Sequence, residues 1–251
     1  MARTEANREF FDKMVGQVDY ESWIKELVNQ TNDALTARLD WFGIDWVKDK
    51  GKPGNQTKTL RLLDYACGTG YTTAIFGPYA TFIRGVDVSP KTVEKYNDNN
   101  TIKAIREHAD SAIAVVGDMV NDPTSESIIN TPEFFNFDVV CTNYSLHHFD
   151  DAATAIERLA ERLRPGGTFI AVDFVSSEGD SEMTGDFKAI MPVRGFSEGG
   201  LRAMFDKAGL EDFGFDVFTD NAKIPDHKSG EVHVRSVFVV KGKKRASSKL
   251  V

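Results

Sequence analysis

The chain has 251 residues, 41% hydrophobic and 27% charged, with a formal net charge of −8 and a pI near 5.2. That length suits one large core with an added cap, and the acidic balance excludes a nucleic-acid groove, which needs a basic stripe. No apolar run is long enough to span a bilayer and residues 1–10 are polar and charged, so a cytoplasmic protein with no membrane span, acting on a small-molecule or protein partner, is expected. Cys67 and Cys141 lie at the ends of two predicted strands without CxxC spacing, which predicts reduced thiols and neither a disulfide framework nor a zinc site.

Residues 5–46 carry apolar side chains at three-to-four spacing: Phe10, Phe11, Met14 and Val15, then Trp23, Ile24, Leu27 and Val28, then Leu35, Leu39 and Phe42. Two or three amphipathic helices are predicted, forming an N-terminal helical cap over residues 1–50, and residues 49–59 read as a polar linker. The string LRLLDYACGTGYTTAIF, residues 60–76, then predicts a strand, a tight turn and a helix. Gly68 and Gly70 suit the turn because they allow positive φ and let a ligand lie against bare backbone. Asp64 at the strand's end suits a cation and would repel a pyrophosphate. Thr73 stands where the dinucleotide fingerprint has a third small residue, which weakens that match.

Residues 81–87 predict a second strand ending in Asp87, a carboxylate placed to accept both ribose hydroxyls of a nucleoside. Ser89 and Pro90 then open a helix running towards His108. A third strand over residues 112–119 ends at Gly117, Asp118 and Met119, and a fourth spans residues 137–143. The segment 150–163 is an amphipathic helix whose Asp150 and Asp151 read as caps. Pro165 and two glycines turn the chain into a fifth strand ending near Phe174. Residues 176–195 are acidic and irregular, a helix follows over 196–208, two further strands over 213–218 and 234–240, and residues 242–251 form a basic tail expected to fray.

Five ordered strings carry a resemblance: DYACGTG at 64–70, GVDVSP at 85–90, VVGDM at 115–119, FDVVCTNYSLHHF at 137–149 and LRPGG at 163–167. Together they resemble the motif series of class I S-adenosylmethionine-dependent methyltransferases of the small-molecule branch, over about residues 60–241. The resemblance implies an α/β three-layer sandwich with a seven-stranded, mostly parallel sheet whose last strand is antiparallel. It implies S-adenosyl-L-methionine as cofactor, S-adenosyl-L-homocysteine as product, no metal, and a small-molecule acceptor. Asp64, Ala66, Gly68 and Gly70 would then lie under the methionine portion, Asp87 and Val88 at the ribose, and Asp118 at the adenine amino group with Met119 packed on the ring. Thr142 and Asn143 complete the cofactor set. The N-terminal helices would act as a lid, and residues 176–195 would wall the acceptor site through Phe187, Ile190 and Met191. The family's commonest form has glycine where this chain has Ala66, a change tolerable at negative φ.

A general base helps if the acceptor is a hydroxyl or thiol, and His147 beside the implied cofactor site is the candidate for base or acceptor positioning. His148, His227, His233, Tyr20 and Tyr144 are further groups able to reach a pocket. The chain lacks the Asn/Asp-Pro-Pro-Tyr/Phe signature and any aspartate cluster at the fourth strand. Two other readings stay open: an NAD(P)-dependent oxidoreductase, opposed by Asp64 and Thr73, and a non-catalytic S-adenosylmethionine-binding protein. A monomer or homodimer is expected.

Overall fold

The computed structural model describes residues 2–16, 18–47, 58–107, 111–121, 126–177, 190–225 and 232–246. Seven strands form one sheet: β1 (Arg61–Tyr65), β2 (Phe82–Asp87), β3 (Ser111–Val116), β4 (Phe137–Asn143), β5 (Leu163–Phe174), β6 (Leu210–Pro225) and β7 (Val232–Lys244). Their order is β3-β2-β1-β4-β5-β7-β6. Neighbours from β3 through β5 pair in parallel, and β7 runs antiparallel between β5 and β6. The winding direction reverses between β1 and β4, which opens a crevice beyond their C-terminal ends.

Side-chain alternation along the strands makes two cores. Leu62, Val139, Ile170, Val172, Val237 and Val239 share one face with Leu27, Leu35, Phe76, Tyr96 and Ile102. These come from α2 (Val18–Thr36), α3 (Tyr71–Phe76), α4 (Pro90–Asp98) and α5 (Asn100–Arg106). Leu63, Val140, Phe169, Ala171, Phe238 and Val240 share the other face with Ile156 and Leu159 of α6 (Ala152–Glu161) and Leu201 and Phe205 of α7 (Glu198–Lys207). Each such fully buried side chain contributes about 1.5–3 kcal/mol of apolar burial. The result is the expected three-layer arrangement.

Helix ends follow the caps that the sequence supplies. Ser89 accepts from Thr92 N to start α4, Asp151 accepts from Ala153 N and Thr154 N to start α6, and Ser197 accepts from Gly200 N to start α7. Asp150 is not a cap; it pairs with Arg3. The expected single helix towards His108 is two helices, because Asn99 leaves helical geometry and its side chain caps α5 through Thr101 N. The tail boundary also moves. Gly242 and Lys243 pair with Phe169 and Thr168, and Lys244 Nζ donates to the Leu163 carbonyl at 2.8 Å, so residues 242–244 belong to the sheet. Residues 247–251, most of the linker, Phe187 and His227 lie outside the described residues, as do the side chains of Tyr20, Trp23 and Ile24.

The N-terminal segment divides its work. Leu27 and Leu35 of α2 are in the core, whereas α1 (Ala2–Met14) crosses the C-terminal ends of the strands. It is tied there by Thr4 to Asp118, Asn7 to the His148 carbonyl, and Asp12 to Ser89.

The turn after β1 departs from expectation at Ala66, whose φ is +54°, in the left-handed region. An L-residue there costs about 1–2 kcal/mol, partly offset by the lower entropy of alanine than of glycine in the unfolded chain. Ala66→Gly should therefore raise stability by about 0.5–1 kcal/mol, read as a higher urea midpoint with unchanged slope. A lower midpoint would show that the methyl group makes contacts worth more than the strain.

Candidate active site

A cavity of about 360 Å³ lies over the C-terminal ends of β1, β2, β4 and β5, beneath α1. Its floor is the turn after β1. Gly68 lines it at φ +53°, and a β-carbon there would meet no atom within 4 Å, so the backbone faces open space. Gly68 N donates to Asp87 Oδ2 at 3.0 Å, and Ser89 N donates to Asp87 Oδ1 at 2.9 Å. Asp87 is buried at the cavity wall; burial raises its pKa while these backbone donors oppose the rise. Ala66 and Val88 line the cavity beside it.

Four of the residues expected at the cofactor do not line the cavity. Asp64 lies behind the turn, where Thr73 Oγ1 donates to its Oδ2 at 2.7 Å and the Cys141 thiol stands 3.9 Å from Oδ1. Gly70, at φ +97°, backs onto Ile102 and Tyr96, and a β-carbon would come within 2.9 Å of Ile102 Cδ1; its smallness serves packing. Met119 is buried in the second core, and Thr142 donates to the Tyr65 carbonyl and bonds Ser145. The β1 pleat explains Asp64, since it shares its face with Leu62 and not with Tyr65.

Asp118 does line the cavity and is already crowded with donors. Its Oδ1 accepts from Tyr65 Oη, Val120 N and Asn121 N, and its Oδ2 from Thr4 Oγ1 and Asn121 Nδ2. The apolar surface beside it comes from Tyr65 and Phe149, ring centroids 5.9 Å apart, in place of Met119. Asn143 lines the cavity with its Nδ2 donating to Thr72 Oγ1 at 2.9 Å, and its buried Oδ1 has no partner.

His147 is buried at the cavity wall, with Nδ1 2.7 Å from Oδ1 of fully buried Asp173 at the end of β5. His147 N and Phe174 N also donate to that carboxylate. A carboxylate accepts only, so Nδ1 carries a proton, and in the neutral imidazole Nε2 is the acceptor a general base requires. His148 lies beside it, tilted by 39° with 4.2 Å between centroids, and donates from Nδ1 to the Ile190 carbonyl. Burial, then His147 and Arg3, push the His148 pKa well below the ordinary value. Asp173 and Asn7 are site residues that sequence reasoning passed over. An acid inside the apolar string FIAVDF was the available signal for the first; nothing local marked the second.

Among the described residues no group of three or more His, Cys, Asp or Glu side chains is disposed to hold a metal ion. Both cysteines are free and buried. No described helix is long and apolar enough to cross a membrane.

Burial pushes the Asp64 carboxyl up to about 7, against the opposing hydrogen bond from Thr73. The folded chain then holds a proton that the unfolded chain releases near 3.8, so this group's stabilisation falls as pH rises between those values and is gone above about 7. Asp64→Asn keeps an acceptor for Thr73 and removes the titration. Thermal unfolding from pH 5 to 8 should therefore show a shallower decline in the variant than in the wild type, and parallel curves would place the proton elsewhere.

The model of the methyltransferase-domain family matches residues 29–213. An uncharacterised methyltransferase of Schizosaccharomyces pombe is 28% identical over 117 residues, covering 46% of this chain and 39% of that protein. The uncharacterised methyltransferase YcgJ of Bacillus subtilis is 28% identical over 121 residues, covering 47% and 42%. The chain thus spans about two fifths of the length of these curated relatives. Magnesium protoporphyrin IX methyltransferase (ChlM) from Synechocystis, solved with bound SAM, superposes with a TM-score of 0.59 at 14% identity, covering 97% of this chain and 98% of that one, a likeness of fold. With more than half of its residues matched by the family model, the chain belongs to the methyltransferase-domain family.

Proposed function

We propose that this chain transfers a methyl group from S-adenosylmethionine to a small-molecule acceptor. The observation that carries the reading is the set of acceptor atoms around bare backbone at Gly68: the Asp87 carboxylate on one side and the unpartnered, buried Oδ1 of Asn143 on the other. Such a cradle fits a ligand bearing hydroxyls and an ammonium and opposes a pyrophosphate. Asp87 would hold the ribose hydroxyls with the lone pairs that Gly68 and Ser89 leave, and Asn143 Oδ1 would accept from the ammonium. At Asp118 an adenine amino group would take the place of Thr4 Oγ1. Asp64 supports the turn through Thr73 and reaches the ligand only through it.

The cofactor supplies an electrophilic methyl: its S–C bond breaks as the acceptor bond forms, the electron pair stays on sulfur, and S-adenosylhomocysteine leaves as a neutral thioether. The protein's part is to orient the acceptor, exclude water and, for a hydroxyl or thiol, take its proton on Nε2 of His147. The hydrogen bond to Asp173 favours turnover over mere cofactor storage, because it fixes the imidazole with its acceptor nitrogen unspent.

Titration calorimetry with S-adenosylmethionine and S-adenosylhomocysteine tests the binding half. Asp87→Ala should weaken both at least tenfold by removing hydrogen bonds worth about 1.5–3 kcal/mol each. Unchanged affinity would reject the ribose assignment, and binding of reduced nicotinamide cofactor in its place would reject the reading as a whole. His147→Ala should leave cofactor affinity within twofold of wild type and lower S-adenosylhomocysteine release. Equal turnover would leave orientation alone as the source of catalysis.

A further inference from the structure

Beyond Asn143 the cavity has a second half whose wall is apolar: Phe11, Leu27, Tyr144, Phe174, Ile190 and Met191. Among the described lining residues the only side chain of fixed positive charge is Arg3, and its Nε donates to Asp150. Three carboxylates, Asp87, Asp118 and Asp150, also line the cavity. His148 is held neutral by burial, with Nδ1 spent on the Ile190 carbonyl. An anionic acceptor would lose its hydration here and find no side-chain counter-charge but Arg3, which Asp150 already neutralises.

Besides Nε2 of His148, two polar atoms in this half are unspent. One is Nε2 of His147, left free because Nδ1 serves Asp173. The other is Oδ1 of Asn7, a residue 7% exposed; its Nδ2 donates to the His148 carbonyl at 3.4 Å and its Oδ1 has no partner. That hydrogen bond places the amide beside the histidine pair, on the wall of the same cavity. A buried carbonyl oxygen without a donor is unfavourable until a ligand supplies one, and a site built this way discriminates strongly against analogues that lack the donor.

Resting on the methyl-transfer reading, we infer that the acceptor is an uncharged, mainly apolar hydroxyl compound carrying a second hydrogen-bond donor, with the reacting hydroxyl at His147 and the second donor at Asn7 Oδ1. The hydroxyl loses its proton to Nε2 of His147 as its oxygen forms the new O–C bond, and the electron pair of the broken S–C bond remains on the thioether sulfur. Asp173 is a positioning residue: it fixes the imidazole tautomer and faces the positive ring that proton transfer creates.

The test uses three neutral or acidic probes on one skeleton: olivetol, meta-pentylphenol, which lacks the second hydroxyl, and olivetolic acid, which adds a carboxylate. Each is titrated by calorimetry into the full chain saturated with S-adenosylhomocysteine, and each is assayed with S-adenosylmethionine for product release. Olivetol should bind at least tenfold more tightly than either of the others and be methylated. Asn7→Leu should abolish the preference for olivetol over meta-pentylphenol. Asp173→Asn should keep olivetol affinity, lower kcat at least tenfold and alter the pH profile of kcat. Preference for olivetolic acid, binding of none of the probes, or an equal loss for both phenols in Asn7→Leu would overturn the inference. Failure of S-adenosylhomocysteine itself to bind would instead reject the methyl-transfer reading beneath it.

Discussion

One buried hydrogen bond underlies the geometry of the cavity: Thr73 Oγ1 to Asp64 Oδ2, with Tyr96 Oη donating to the same threonine at 2.9 Å. It joins the end of β1 to the short helix α3 and to α4, and so sets the path of the residues between them. All three side chains are buried, so the network is satisfied internally or not at all. The backbone around it adopts left-handed conformations at Ala66, Gly68 and Gly70 in close succession. A turn this contorted holds its shape because both of its ends are pinned. Gly68 N then meets Asp87, and the first two strand tips become one wall.

From that wall the cavity divides by chemistry. Its β1 and β2 side presents hydrogen-bond acceptors on strand-end residues, and its other side presents rings and aliphatic chains around two imidazoles. The division follows from the sheet order. β1 and β2 supply Asp87 and the turn, whereas β4 and β5 supply Asn143, the His147 segment and Asp173. The topological switch therefore falls between the two halves, where a donor ligand and an acceptor can meet.

Much of this was legible in the sequence, and the failures share a cause. Strands, their order in the chain, the PGG turn and the caps at Ser89, Asp151 and Ser197 follow from local patterns, and the acids at the tips of β2 and β3 followed from strand ends. Which way a residue faces at a strand end did not. Asp64 and Thr142 are one residue away from positions that line the cavity, and in a pleated strand one residue is a change of face. Met119 fell past the end of β3, which stops at Val116, where no pleat constrains it. Asn7 was invisible because its partner is 141 residues away and depends on how α1 lies across the strands. Asp173 was readable, since an acid in a strand buried on both faces needs a partner, and the nearest candidate was the histidine pair.

The helix α1 is attached differently from the rest of the fold. Neither buried core includes a residue from it, whereas α2 contributes Leu27 and Leu35. Its polar tethers fall on the cavity's own lining, Asp118, the His148 carbonyl and Asp150, with Ser89 one residue past the lining residue Val88, and Phe11 meets the His148 ring edge-on. A ligand that donates a hydrogen bond to Asp118 competes with Thr4 for it, and one that donates to Asn7 Oδ1 adds a contact to the same helix. On the proposed assignments, occupants of the two halves would act on α1 with opposite sign, one loosening it and the other fastening it. Because any ligand's effect on a conformational equilibrium is limited to its differential interaction with the two states, α1 is where the proposed assignments would link binding in one half to binding in the other.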